Sequence, residues 1–417
     1  MPRLTACYLI ETPGDPRRAA DALAGEQSSG TFVAVPGETA ELKARFAARV
    51  ESVEPLGEAE RPSLPGARGG EGPCRRARVR VSWPLENFGY NIPALIATLQ
   101  GNLYELPQFS GVKLDDFDLP ERFAQHFEGP RFGVEGSRRR AGVEPGRPLI
   151  GTIIKPSVGL SPEATAGLVG ELAEAGIDFI KDDELMTATA NSPFERRVDR
   201  VMEVVRDHAD RTGKRIMVAF NISDELDRMK RHYDHVLAAG GACAMICVNA
   251  VGWVAAREIC RHGDLVIHAH RAGWGMFTRH PWLGVNFPAY HKLWRLAGVD
   301  QLHVNGLANK FWEPDDSVVR SIGACLEPTP GWKPILPVVS SGQWGGQAFD
   351  TYTRTGTTDL LYLAGGGIMA HPAGLGGGVR AIRQAWDAAV RGLDLDAAAR
   401  ESPELRQSVE TFLPPTP

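Results

Sequence analysis

From Leu149 onward the chain alternates between two patterns with a regularity few folds can satisfy. Short apolar runs occur at 150–154, 177–180, 216–220, 242–248, 265–267, 301–304, 335–339 and 360–364, eight in all. Stretches of helical character separate most of them, at 162–175, 193–208, 224–238, 288–296 and 317–325, and another follows at 379–390. Apolar runs this short, without polar alternation, are strands buried on both faces, as in a parallel sheet. Eight strand–helix repeats over roughly 250 residues predict a (β/α)8 TIM barrel. Residues 394–412 are predicted to form a helical tail outside it.

The first part of the chain reads differently. Strands are predicted at 4–12, 31–35, 46–53 and 77–83, with a Pro/Gly-rich connector at 58–73. Helices are predicted at 15–24 and at 91–103, the second capped by Asn91. This interleaving implies a small α+β domain of ferredoxin-like type, one sheet with helices on one face. Residues 129–147, rich in Gly, Pro and Arg, are expected to be a linker, which divides the chain into 1–135 and 136–417. A length of 417 residues suits two such domains. The balance of 43% hydrophobic and 23% charged residues is that of a soluble globular enzyme. A net charge of −5 carries no basic excess, so no nucleic-acid partner is expected. No run approaches the ~20 apolar residues of a membrane span, and no leader pattern follows Met1-Pro2-Arg3-Leu4, so a cytoplasmic location is expected. The scattered Cys7, Cys74, Cys243, Cys247, Cys260 and Cys325 read as reduced thiols, without disulfides or a zinc site.

In a barrel of this kind chemistry gathers at the carboxyl ends of the strands. Here those ends carry Lys155 and Ser157; Lys181, Asp183 and Glu184; Asn221; Asn249; His268, His270 and Arg271; His303, Asn305 and Lys310; Ser340, Ser341 and Gly342; and Gly365-Gly366-Gly367. Taken alone, Lys181-Asp182-Asp183-Glu184 reads as a solvated acidic turn. Strand alternation turns Lys181 and Asp183 to one side and Asp182 to the other, and Glu184 joins the first two where the strand ends. Two carboxylates suit a hard cation such as Mg²⁺, and a lysine adds an anionic oxygen only as its CO₂ carbamate. Polar groups at all eight ends make a converging site the better reading. Glycine-exposed N–H groups after strands seven and eight are where many barrels hold a phosphate.

These residues also carry a resemblance. Gly151-Thr-Ile-Ile-Lys-Pro156, Gly176-Ile-Asp-Phe-Ile-Lys-Asp-Asp-Glu184, His268-Ala-His-Arg271, His303 with Lys310, Pro337-Val-Val-Ser340 and Ala364-Gly-Gly-Gly367 through His371-Pro372 resemble the large subunit of RuBisCO. Glu26-Gln-Ser-Ser-Gly-Thr31-Phe32 and Gly101-Asn102 extend the likeness into the first domain. In detail the chain is similar to RuBisCO-like proteins of the non-carboxylating branch. The resemblance implies that Lys181 is the carbamylated lysine, binding one Mg²⁺ per site with Asp183 and Glu184. It implies Lys155, Lys181, His270 and Lys310 as catalytic residues. Arg271, His303 and Ser340 would form one phosphate site, and Thr31, Gly342, Gly365 and Gly366 the other. Glu26 and Asn102 would reach a partner subunit's barrel, which implies a homodimer with shared sites.

Departures from the carboxylating pattern matter equally. Ser157 stands where that pattern has a second lysine, Ile153 where it has threonine, and Trp274 where it has histidine. The mobile loop reads Asn309-Lys310-Phe311-Trp312-Glu313. Carboxylation of ribulose bisphosphate is therefore not expected. The expected activity is Mg²⁺-assisted enolate chemistry on a phosphorylated keto-sugar acid, with decarboxylation or carbon–carbon hydrolysis of 3-oxo-isoapionate 4-phosphate, from apiose breakdown, as the favoured case. The alternatives are an isomerase or enolase of methylthioribulose-type phosphates, from methionine salvage, and a catalytically silent dimeric scaffold.

Overall fold

A computed structural model describes residues 2–30, 35–68 and 72–413. Most of the expected strand at 31–35 lies outside the described residues. The chain forms two compact units, Met1–Glu128 with Gly273–Leu296, and Gly129–Ala272 with Ala297–Pro417.

In the first unit, β1 (Arg3–Thr12) runs antiparallel between β3 (Cys74–Pro84) and β4 (Gly111–Asp118). β2 (Arg49–Ala59) forms the edge beyond β3, and β10 (Leu283–Val285) lies parallel to β4. Register pairs Leu4 with Trp83, Ala6 with Val81 and Tyr8 with Val79, all buried, so one face of the sheet is the core. The helices Pro16–Glu26 and Ile92–Gln100 bury Leu23, Leu95 and Leu99. Each begins on a side-chain cap: Asp15 accepts from Arg18 N and Asn91 from Ala94 N, both at 2.9 Å. The strand at 111–118 escaped the sequence pattern because Lys113, Asp115 and Asp116 interrupt its apolar run. Lys113 is nonetheless buried, its Nζ donating to the carbonyls of Thr278 and His280 at 2.6 and 2.7 Å.

The second unit is a closed parallel barrel of β5 (Leu149–Ile153), β6 (Phe179–Lys181), β7 (Met217–Asn221), β8 (Cys243–Cys247), β9 (Val266–His270), β11 (Gln301–His303), β12 (Leu336–Val339) and β13 (Leu361–Leu363). All eight coincide with the expected runs to within a few residues. The expected linker is a correction. Residues 133–141 form a packed helix whose Val134 and Ala141, with Val143, join the barrel's core cluster. Its arginine content misled, because Arg138 is buried and spends its guanidinium on Asp359 and on the carbonyls of Arg147 and Thr358. The helix Val248–Cys260 after β8 was also not anticipated, and Gly252 breaks its helical backbone. The six cysteines are free. No helix among the described residues is long and apolar enough to cross a membrane.

One buried carboxylate ties the barrel's amino-terminal end together. Asp178 lies 2.6 Å from Arg147, 3.1 Å from Arg383 and 3.3 Å from Lys214, and accepts from Ile150 N at 3.0 Å. Burial opposes its ionisation, but the Arg147 hydrogen bond and the three cations outweigh that and hold its carboxyl below the ordinary value. A depressed carboxyl stabilises the fold above its unfolded pKa, and that contribution is lost as pH falls through the folded value. Asp178→Asn is expected to cost about 2–3 kcal/mol, less than a fully buried pair because its cations are partly exposed. Urea unfolding at pH 7 checks this, and the gap between variant and wild type should close as pH falls below 4.

Candidate active site

Lys181 closes β6 with a side chain only 1% exposed. Its Nζ donates to Asp182 O at 2.6 Å and lies 3.7 Å from Glu184 Oε2. Burial pushes this amine below its ordinary value, while Glu184 and Asp183 pull it upward. An ammonium has three hydrogens to satisfy, and this pocket supplies one close acceptor and one looser one. Asp182 faces away from Glu184. It accepts from Asn221 N at 2.9 Å and pairs with the fully buried Arg197 at 3.3 Å, so it braces the turn.

Asp183 presents its Oδ1 to Leu185 N at 3.1 Å and its Oδ2 to Lys155 Nζ at 2.6 Å. Burial opposes ionisation here too, yet the Lys155 hydrogen bond and the Leu185 amide hold the carboxyl below its ordinary value. Lys155 also donates to Ser157 Oγ at 2.8 Å, so the residue that replaces a lysine orients the lysine that remains. Glu184 Oε2 stands 3.5 Å from His270 Nε2, and its carbonyl accepts from Asn221 Nδ2 at 3.2 Å.

The opposite side is built from β9, β11 and β12. His270 packs edge-on against His303 at 4.5 Å, and His303 Nδ1 lies 3.0 Å from Ser340 Oγ. Burial drives both imidazoles well below their ordinary values, so both are neutral. Arg271, expected as an anion clamp, pairs with buried Glu313 at 2.9 Å. Asn305 Nδ2 donates to the same Glu313 oxygen at 2.7 Å, and Ser341 Oγ donates to Asn305 Oδ1 at 2.8 Å. Asn305, Ala308 and Ser341 have φ of 64°, 45° and 76°, the positive-φ residues other than glycine among those described. A side chain in that region costs about 1 kcal/mol or more, and such strain concentrates at functional loops. The sequence reading assigned no role to Glu313, Ser341 or Gln301. Ser341 lies just beyond the end of β12, but Gln301 opens β11 and Glu313 lies well past it, where no sequence signal marked them.

The remaining expected residues divide. Gly342, with φ +86°, sits against the Lys310 backbone, and Lys310 N donates to Ser341 O at 3.1 Å. The Lys310 ammonium is exposed and lies 5.2 Å from the centre of the Phe311 ring. A Cβ on Gly365 would meet Ile153 at 3.5 Å, whereas one on Gly366 would meet nothing within 4 Å. In the first unit Asn102 Nδ2 donates to Glu26 Oε1 at 3.1 Å, and both residues are exposed. Thr31 lies outside the described residues. Trp274 belongs to the first unit's aromatic core, 4.4 Å from Tyr290 and 6.0 Å from Phe287.

Among the described residues no three His, Cys, Asp or Glu side chains converge as a ready metal cage. Asp183 and Glu184 bring two carboxylates beside Lys181, and Lys155 already places a cation on Asp183. The set fits Mg²⁺ once Lys181 contributes an anionic oxygen, which a carbamate does.

Comparisons with known proteins agree over the whole chain. The family profile "Ribulose bisphosphate carboxylase large chain, catalytic domain" matches residues 134–412, and the corresponding N-terminal domain matches 4–123. A 3-oxo-isoapionate-4-phosphate transcarboxylase/hydrolase of Xanthobacter autotrophicus is 54% identical over 98% of both chains. A 3-oxo-isoapionate-4-phosphate decarboxylase of Rhizobium rhizogenes is 48% identical over 98% of both. The crystal structure of a rubisco-like protein from Burkholderia fungorum, 48% identical, superposes with a TM-score of 0.93 over 98% of this chain and 100% of that one. The chain belongs to the RuBisCO large-chain family, among its RuBisCO-like members.

Proposed function

We propose that this protein is a Mg²⁺-dependent enzyme that breaks the carbon–carbon bond to the carboxyl group of 3-oxo-isoapionate 4-phosphate. The observation that carries the reading is identity of 54% over 98% of both chains to a relative named for that compound, supported by Glu184 3.7 Å from Lys181 and Asp183 2.6 Å from Lys155. The departures at Ser157 and Ile153 support a substrate other than ribulose bisphosphate.

When bound by the Lys181 carbamate, Asp183 and Glu184, Mg²⁺ supplies a Lewis acid that stabilises negative charge on a substrate oxygen. The bond between the carboxyl carbon and the carbon α to the 3-oxo group breaks. Its electron pair passes into the enolate, and the carboxyl leaves as CO₂ or, with water, as bicarbonate. Lys155, held by Asp183 and Ser157, returns a proton to that carbon. His270, neutral and accepting from Ala272 N at Nδ1, donates from Nε2 toward Glu184 or a substrate oxygen. Gly342, Gly365 and Gly366 hold the phosphate through backbone N–H groups. Lys310 closes over the other end with its exposed ammonium, since Arg271 is spent on Glu313 and His303 on His268 and Ser340. A carboxylate at that end suits the Lys310 ammonium, which the apolar tail of a methylthio sugar phosphate does not. Glu26 and Asn102 complete the barrel of a second copy, so the working unit is a homodimer with shared sites.

Lys155→Met is expected to lower kcat about 10²–10⁴-fold, the range of a lost proton donor. Steady-state assay of the sugar phosphate product checks this. Turnover should disappear with EDTA and return with Mg²⁺ and bicarbonate, and intact-mass analysis should show the carbamate on wild type and none on Lys181→Ala. Rapid turnover of methylthioribulose phosphates with none of the oxo acid would overturn the reading.

Shared sites make a separate prediction. Lys181→Ala and Asn102→Ala dimers, each inactive alone, should regain about a quarter of wild-type sites when unfolded together and refolded, since half the dimers are mixed and each mixed dimer has one intact site. No regain on mixing would rule out a site completed by the partner.

A further inference from the structure

Gln301 opens β11 inside the barrel and is fully buried. Its Oε1 lies 2.8 Å from His268 Nδ1, and its Nε2 lies 3.7 Å from Met217 Sδ. A thioether sulfur can only accept, so the amide nitrogen belongs on Met217 and the oxygen on His268. An oxygen in that position requires the His268 hydrogen to sit on Nδ1. Burial pushes the His268 ring down to about 3, so it is neutral and carries that hydrogen alone.

The consequence propagates. His268 Nε2 is left with a lone pair, and it faces His303 Nε2 at 2.9 Å. His303 must therefore donate from Nε2. Being neutral, it accepts at Nδ1, and Ser340 Oγ at 3.0 Å must be the donor. A single amide thus fixes, through two rings, which way a serine hydroxyl points. The Ser340 hydrogen is turned inward and its lone pairs are left outward. Ser341 Oγ, itself donating to Asn305 Oδ1, offers the Ser340 hydrogen a second acceptor at 3.5 Å, and the shorter contact to His303 takes it. The two imidazoles and the hydroxyl can each run either way, and only Gln301, pinned by a partner that never donates, cannot.

We infer that Gln301 is a positioning residue: its side-chain oxygen selects the tautomers of His268 and His303 and makes Ser340 an acceptor toward bound substrate, suited to a sugar hydroxyl. An apolar side chain at 301 frees His268 to carry its hydrogen on Nε2, which reverses each donor and acceptor down to Ser340. The inference rests on the proposed substrate only for its kinetic readout.

The test uses full-length protein with ¹⁵N-labelled histidine, the imidazole resonances being assigned by their loss in His268→Phe and His303→Phe. Wild type should show hydrogen on Nδ1 of His268 and on Nε2 of His303. Gln301→Met, similar in length and without the acceptor, should shift His268 toward Nε2–H. It should raise KM for 3-oxo-isoapionate 4-phosphate about 10-fold, the effect of one misdirected hydrogen bond, with kcat changed less than about 3-fold. Gln301→Glu, which keeps an oxygen at the same reach, should restore the Nδ1–H tautomer and bring KM back to within about 3-fold. Hydrogen on Nε2 of His268 in wild type would overturn the inference, as would a Met variant with unchanged tautomers and KM, or a Glu variant as impaired as Met. The wild-type spectrum needs no substrate and no variant. Failure of the enzyme to use this sugar acid, or failure of a variant to fold, therefore leaves the inference open to refutation.

Discussion

A lysine amine buried to 1% exposure at the tip of β6 sets the terms for everything around it. An unpaired ammonium there is strongly disfavoured, so the chain must either pair it or keep it neutral. It does something of both. Glu184 stands at 3.7 Å, too far for a tight pair, and Asp183 is claimed by Lys155 at 2.6 Å. The amine is left depressed in pKa beside two carboxylates, which favours the neutral form that reacts with CO₂. Asp182 and Arg197, fully packed behind the turn, hold this arrangement without joining it. A residue adjacent in sequence to two proposed metal ligands is thereby purely structural, because strand alternation sends it to the other face.

The side facing Lys181 obeys a different rule. Around β9, β11 and β12 the polar groups are almost all neutral or internally paired: His268, His270 and His303 as bare imidazoles, Arg271 with Glu313, Asn305 with Ser341. Positive φ at Asn305, Ala308 and Ser341 shows that the loops carrying these groups are held in conformations their residues do not favour alone. Hydrogen bonds among Glu313, Asn305 and Ser341 provide the constraint that keeps them there. Charge is concentrated at one end, where the proposed metal would sit, and direction of hydrogen bonding is controlled at the other.

The barrel was legible because each strand buries both faces, which leaves an apolar run that no surface demand interrupts. The strand at 111–118 was not legible for the opposite reason. Lys113 is buried through its stem and two carbonyl acceptors, a solution visible only once Thr278 and His280 are in place. The helix at 133–141 was mistaken for a linker because the partners of Arg138 are distant in sequence. At the site, Lys155, Lys181, Asp183, Glu184 and the histidines were singled out by their place at strand ends, and their roles came from the resemblance. Neither gave Glu313 or Gln301 a role. A glutamate in a loop and a glutamine in a strand are ordinary in sequence, and acquire roles only from what they touch.

That asymmetry bears on how a family with one scaffold comes to serve several reactions. Groups that hold a metal and move a proton must be of particular residue types. Groups that decide which substrate oxygen is met by a donor and which by an acceptor need only present the right atom at the end of the right chain. Ser157 turns Lys155 toward Asp183 with one hydroxyl, and Glu313 neutralises Arg271 with one carboxylate. Gln301 acts two rings away from the surface it controls. Each alters the polarity of the pocket while leaving Lys181, Asp183 and Glu184 where they are. Substrate preference can therefore change through residues that touch neither metal nor substrate.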